Sequence, residues 1–149
     1  AKAHLAVGQL VVDYRCCTAE ELAVKSDRDK DKFDVIYASE VIEHVTDRQL
    51  FAEAIAAMLA PNGTVVITTI NRTLPALAFA KVALEYVVRL VPAGTHDPKK
   101  FVKPAELRAE FGAVGIVFDD LTGFVPTLAG GFRQSGNLSI NYGASGGWG

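Results

Sequence analysis

Cysteine is scarce in this chain: Cys16 and Cys17 are the only two among 149 residues, and they are neighbours. Adjacent cysteines rarely reach disulfide geometry, and no spaced Cys/His set suggests a zinc site. A disulfide scaffold is therefore excluded, and a reducing compartment, cytosol or mitochondrial matrix, is expected. An excess of one charge is also missing. Fifteen Lys and Arg against seventeen Asp and Glu leave a net charge of −2, so there is no chain-wide basic field and no nucleic acid is expected as a partner. No internal repeat is visible. Ala1-Lys2-Ala3-His4-Leu5 lacks the pattern of a signal peptide and reads as the inside of a helix. What remains is 50% hydrophobic and 21% charged, the balance of one packed domain.

Along the chain, strands alternate with helices. Leu10 to Cys16 has the β-branched and aromatic content of a strand. Thr18 with Glu21 three residues on is a capping-box pattern for a short helix. Phe33 to Ala38 is a compact apolar run suited to a buried parallel strand. Asp47 can cap a helix reaching about Leu59, with Leu50, Phe51, Ala54, Ile55 and Met58 at helical spacing. Pro61-Asn62-Gly63 reads as a turn, and Thr64 to Ile70 as a second strand. Pro75 to Val91 and Lys103 to Phe111 are the next helices, the latter with Pro104 in its first turn. Gly115 to Thr122 and Leu138 to Tyr142 are the last two strands, and Gly143 to Gly149 is a frayed tail. This order predicts an α/β sheet.

Ligands of open α/β sheets bind beyond the carboxyl ends of the strands. Ser39, Glu40, Glu43, His44 and Asn71 fall there. If residues 40–44 are helical, Glu40, Glu43 and His44 share one face. Two carboxylates and an imidazole converging make a divalent-metal or acid/base site; the same spacing also describes an ordinary polar helix face with a surface histidine.

The wider context narrows this. Phe33-Asp34-Val35-Ile36-Tyr37-Ala38-Ser39-Glu40-Val41-Ile42-Glu43-His44-Val45 resembles the fourth-strand motif of class I S-adenosylmethionine-dependent methyltransferases. Leu59-Ala60-Pro61-Asn62-Gly63-Thr64 resembles the turn before their fifth strand. Thr68-Thr69-Ile70-Asn71-Arg72-Thr73, the stretch from Val91 to Phe101 and Asn141-Tyr142 are similar to the ubiquinone-biosynthesis O-methyltransferases, which methylate polyprenyl catechol-type intermediates. The resemblance covers most of residues 1–142.

It implies S-adenosylmethionine as cofactor, with Ser39 a contact and Thr18-Ala19 flanking the adenine. It implies Glu40, Glu43 and His44 as catalytic ligands of a divalent metal, Mg²⁺ or another divalent cation. A metal on a catechol oxygen would stabilise the nucleophilic phenolate. The implied partners are the polyprenyl catechol-type quinone precursor, an anionic membrane surface and other ubiquinone-biosynthesis proteins. The implied location is peripheral: the matrix face of the mitochondrial inner membrane in a eukaryote, or the cytoplasmic face of the inner membrane in a bacterium.

Members of that family carry a glycine-rich loop after the first strand and an acid ending the second. No such loop stands before residue 10. The expected architecture is thus an incomplete Rossmann-like class I methyltransferase fold: α/β, mostly parallel, with an antiparallel C-terminal strand and the N-terminal strands absent. It would occupy residues 1–142, with a helical insertion at about 72–103 and a glycine-rich tail at 143–149. Within the insertion, Leu74 to Val91 is apolar apart from a stripe of Lys81, Glu85 and Arg89. Those charges argue against a spanning helix. The helix is either buried in the core or interfacial, with Arg72, Lys99, Lys100 and Lys103 close to anionic headgroups. His96 either lines the substrate entrance or sits on the surface, and His4 reads as helix surface. Two functional readings stand, an O-methyltransferase and a catalytically incompetent relative that binds or scaffolds; a dehydrogenase loses its support with the missing loop.

Overall fold

Glu21 N–H donates to the Thr18 hydroxyl at 3.1 Å and Thr18 N–H to the Glu21 carboxylate at 3.3 Å. This reciprocal cap opens helix α1, Ala19–Lys25. The computed structural model describes residues 12–25, 32–77, 100–127 and 131–149. His4, Lys81, Glu85, Arg89, His96 and Lys99 lie outside the described residues, as does most of the expected helix from Pro75 to Val91.

Strand β1, Phe33–Ser39, is followed by a 3-10 turn at Ile42–His44. Helix α2, Arg48–Met58, starts where the Asp47 carboxylate accepts from Gln49 N at 3.0 Å and Leu50 N at 3.1 Å. Its buried residues are Phe51, Ala52, Ala54, Ile55 and Met58; four of them fall on the stripe that the sequence spacing predicts, while Leu50, also expected there, is exposed. Strand β2 runs Leu59–Ile70 and a short helix α3 covers Leu74–Leu77. Helix α4, Pro104–Gly112, has proline in its first turn, where a missing N–H costs nothing. Strands β3, Ile116–Pro126, β4, Phe132–Ser135, and β5, Asn141–Trp148, complete the described elements.

The five strands lie in the order β1-β2-β5-β3-β4. β1 and β2 are parallel, with Ala38 opposite Ile67 and Ser39 opposite Thr68. The other three pairings are antiparallel, so the sheet is mixed, and its described part is not mostly parallel as expected. The reason is β5, which returns between β2 and β3 against both. One face packs on α2 and α4 around Phe51, Ile55, Val65, Ile67, Leu107, Phe111, Phe118 and Tyr142. Phe111 meets Phe51 edge-on with ring centres 6.5 Å apart and Phe118 at 5.1 Å. A smaller cluster of Ile70, Ala76 and Phe101 closes the carboxyl end of β2.

Four expectations are corrected. Residues 12–16 form no strand; Val12 and Tyr14 are exposed, and β-branched and aromatic content gives no ladder where no strand among the described residues pairs with it. Pro61-Asn62-Gly63 lies within β2, where two residues along β1 are matched by five along β2, so the turn survives as a bulge. β4 was not foreseen. The glycine-rich segment from Gly143 is not a frayed tail but the inner strand of the sheet. A Cβ at Gly146 would lie 1.9 Å from Val117 O, and one at Gly147 would lie 2.7 Å from Gly63 O. These glycines mark close backbone approach, not disorder.

Candidate active site at the carboxyl ends of the parallel strands

β1 and β2 end side by side, and the side chains that follow them meet. Glu40 is the first residue past β1. Its φ of +52° puts a non-glycine residue in the left-handed region, a conformation that costs on the order of 1–3 kcal/mol and needs support. The support is local: Glu40 N–H donates to Thr68 O at 2.9 Å. The Thr68 hydroxyl donates to the Glu40 carboxylate at 3.2 Å and lies 2.9 Å from the Ser39 hydroxyl. One residue on, the Thr69 hydroxyl donates to Glu43 at 2.9 Å. Glu43 is only 4% exposed and Thr69 fully buried.

The two carboxyl groups are in contact. Burial first, then the charge of Glu43 and a hydrogen bond shared with it, push the Glu40 carboxyl up to about 7, against a smaller pull from the Thr68 hydroxyl. The structure therefore brings Glu40 and Glu43 together, but by a different route from the one the spacing predicts. Glu40 is left-handed and the turn at Ile42–His44 is 3-10, so Glu40, Glu43 and His44 do not share a helical face. His44 is exposed and lines, with Glu43, Arg48, Lys100 and Glu110, a cleft of about 720 Å³. Among the described residues no three His, Cys, Asp or Glu side chains are gathered to hold a metal.

The carboxylate pair itself suits a hard cation. Mg²⁺ commonly takes one or two carboxylates and keeps its waters, whereas a zinc site wants three or four protein ligands. On the far side, Arg48 donates through Nε and a terminal nitrogen to Glu110 Oε1 at 3.0 and 2.7 Å. The Tyr142 hydroxyl, buried between these groups, donates to Val102 O at 3.1 Å. Burial and then the surrounding acids hold its phenol well above the usual range.

Thr18 and Ala19 line a second cleft of about 570 Å³ with Tyr37, Ala38 and Phe51. Ser39 is not among its lining residues; its hydroxyl is at Thr68. The three residues marked for the cofactor thus fall in two places. A profile for a methyltransferase domain matches residues 9–118. The chain belongs to the methyltransferase domain family.

This methyltransferase domain is 43% identical over 143 residues to the ubiquinone biosynthesis O-methyltransferase of Azorhizobium caulinodans, a match covering 95% of the chain and 55% of that protein. The protein of the same name from Rhodopseudomonas palustris is 41% identical, with 54% of its length covered. The chain thus spans about half the length of the curated relatives it matches. Among solved structures, an S-adenosylmethionine-dependent methyltransferase from Clostridium acetobutylicum aligns over 99% of this chain and 69% of its own with TM-score 0.61 at 9% identity. One from Thermotoga maritima aligns over 89% and 62% with TM-score 0.58 at 13% identity. At these identities the likeness is one of fold, and it bears out the incomplete class I methyltransferase architecture.

Sequence reasoning missed Thr68 and Thr69 as parts of the candidate site. Threonine is at home in any strand, and only its place at the carboxyl end of β2 could have singled it out. The Arg48–Glu110 pair joins residues far apart in sequence and left no local signal.

Proposed function

We propose that this chain belongs to an S-adenosylmethionine-dependent O-methyltransferase of ubiquinone biosynthesis that methylates a hydroxyl of a polyprenyl catechol-type precursor with divalent-metal assistance. The observation that carries the reading is identity of 41–43% over 95% of the chain to proteins bearing that name. The carboxylate pair past β1 lies where the fold presents ligands. In this reading the cofactor supplies an electrophilic methyl group, and the 570 Å³ cleft beside Thr18 and Ala19 takes its adenine end. Glu40 and Glu43 hold the cation, whose contribution is to stabilise phenolate charge. Ser39 and Thr68 fix the strand end from which they project. His44, which is exposed, contributes less than the two acids.

The test is methyl transfer from S-adenosylmethionine to a short-chain prenyl catechol, with and without chelator. Transfer that stops in chelator and returns with Mg²⁺ supports the reading. Transfer undiminished in chelator removes the metal from it. Binding of the catechol without transfer would favour the rival reading of a binding or scaffolding subunit.

The substrate's polyprenyl tail places the reaction at a bilayer, and we extend the proposal to peripheral membrane binding through residues 74–91. That means the cytoplasmic face of a bacterial inner membrane or the matrix face of a mitochondrial one, in the company of other proteins of the pathway. In support, Leu74 is 82% exposed, and Lys100 and Lys103, which follow the segment in sequence, are exposed. No helix among the described residues is long and apolar enough to cross a membrane. Leu77→Asp with Leu84→Asp should abolish flotation with anionic liposomes. Equal flotation of the double variant would return the segment to the core.

A further inference from the structure

Like charges do not settle beside each other unaided, yet Glu40 and Glu43 do, the first exposed and the second almost wholly withdrawn from water. No Lys or Arg ion pair to either is found among the described residues. Besides the hydrogen bond that they share, what holds them is β2. Thr69 bonds Glu43 at 2.9 Å from a fully buried position. Thr68 bonds the Glu40 carboxylate through its hydroxyl and the Glu40 backbone through its carbonyl. A strand would be served as well by valine at either position; a buried hydroxyl is worth having only if it is bonded. In both cases the partner is a carboxylate of the site.

We infer that Thr68 and Thr69 are positioning residues, which hold Glu40 and Glu43 side by side in the arrangement that receives a divalent cation. The inference rests on the metal-assisted reading above and adds to it the residues that make the carboxylate pair. The two threonines are unequal. Thr69 is fully buried and makes the shorter bond, whereas Thr68 is half-buried and shares its hydroxyl with Ser39. Thr69 therefore carries more of the effect.

The experiment titrates the 149-residue chain with Mn²⁺ and reads free Mn²⁺ by electron paramagnetic resonance, with thermal melts in parallel. Thr69→Val keeps shape and loses the hydroxyl; it should weaken Mn²⁺ binding about tenfold or more. Thr69→Ser keeps the hydroxyl and should stay within about threefold of the parent, and Thr68→Val should fall between. A structural role alone would not be rescued in this way by serine. If Thr69→Val does not fold, Thr69→Ala against Thr69→Ser makes the same comparison, since both lack the methyl group and only one keeps the hydroxyl. Parent-like binding by Thr69→Val, or by Thr69→Ala where that stands in for it, overturns the inference and leaves the metal reading intact. So does equal loss in the serine variant and the variant without a hydroxyl. Absence of Mn²⁺ binding by the parent chain overturns both.

Discussion

The two ends of β2 are built on opposite principles. At its amino end the backbone is packed to the limit. A Cβ added at Gly63 would lie 2.6 Å from Leu59 Cδ1, Gly147 faces Gly63 O, and the Trp148 indole donates to Ala60 O at 2.9 Å. At its carboxyl end, Thr68 and Thr69 donate to two neighbouring acids, Glu40 and Glu43, and Glu40 itself stands in a strained backbone conformation. The first end spends local freedom on packing; the second keeps charge and strain that packing alone would remove. Substitutions at the two ends should therefore separate stability from activity.

The largest effect belongs to the packed side. Gly146→Val would drive a Cβ to within 1.9 Å of Val117 O and 2.7 Å of Phe118 Cα. Overpacking against backbone has no flexible neighbour to yield, so a loss of about 3 kcal/mol or more is expected. Denaturant unfolding should show a collapsed midpoint or no folded chain, and a midpoint within error of the parent would mean that β5 is not held between β2 and β3.

The counterpart at the other end is Glu43→Gln. It is nearly isosteric, keeps an acceptor for Thr69 and removes one of two repelling charges. The melt should be unchanged or slightly raised, while metal-dependent transfer in the complete enzyme falls on the order of 100-fold, the scale of losing one electrostatic stabiliser. His44→Ala should cost less, because the described structure does not gather His44 with the acids. Equal losses for all three, with Glu40→Gln as the third, would restore the three-ligand site that the sequence spacing implied.

That difference shows what could be read in advance. Thr18 with Glu21 and the Asp47 cap were legible because capping is a contact between near neighbours with a fixed offset. β1 and β2 followed from apolar runs, though β1 is not the buried strand expected, since Val35 and Tyr37 are exposed; the place of Glu40 and Glu43 past the strand ends followed from a general rule of α/β sheets. The shared helical face of Glu40, Glu43 and His44 was inferred from spacing, and spacing assumes a backbone. Glu40 at φ +52° breaks the assumption, and no residue type at position 40 announces it. The glycines of β5 failed for the reverse reason. Composition reads them as freedom, and only the facing strands show that they are an approach distance. The fold was therefore legible where contacts are local, and the site where it follows the sheet rule; side-chain partnerships across β2 were not.

A smaller effect is expected at Trp148→Phe. The ring volume is largely kept and the bond to Ala60 O is lost, leaving that carbonyl to water at a partly open position. A loss of about 1 kcal/mol in denaturant unfolding is expected, the usual net value of one hydrogen bond. A loss several times larger would mean that the packing of the indole over Gly115, where an added Cβ would meet the ring at 3.4 Å, matters more than its N–H.

The smallest effect sharpens the comparison most, because it concerns the charge that the carboxyl end retains. The Glu40 carboxyl is raised from 4.5 to about 7. A carboxyl raised on folding binds more protons in the folded than in the unfolded chain between those two values, so stability falls as pH rises through that window. The contribution is fully present below about 4.5 and lost once pH passes about 7. Its size is reduced by solvent screening, since Glu40 keeps an exposed edge, and the slope in unfolding free energy should be shallow. Glu40→Gln should flatten it, because an amide does not titrate, and should leave the slope contributed by other groups untouched. Mg²⁺ at saturating concentration should flatten it too, since a cation favours the ionised pair in the folded chain and competes with the proton. Chemical denaturation at several pH values, in chelator and in Mg²⁺, measures all three. A slope that survives in Glu40→Gln would show that the carboxyl end of β2 does not hold its acids under strain, and the contrast between the two ends would reduce to packing alone.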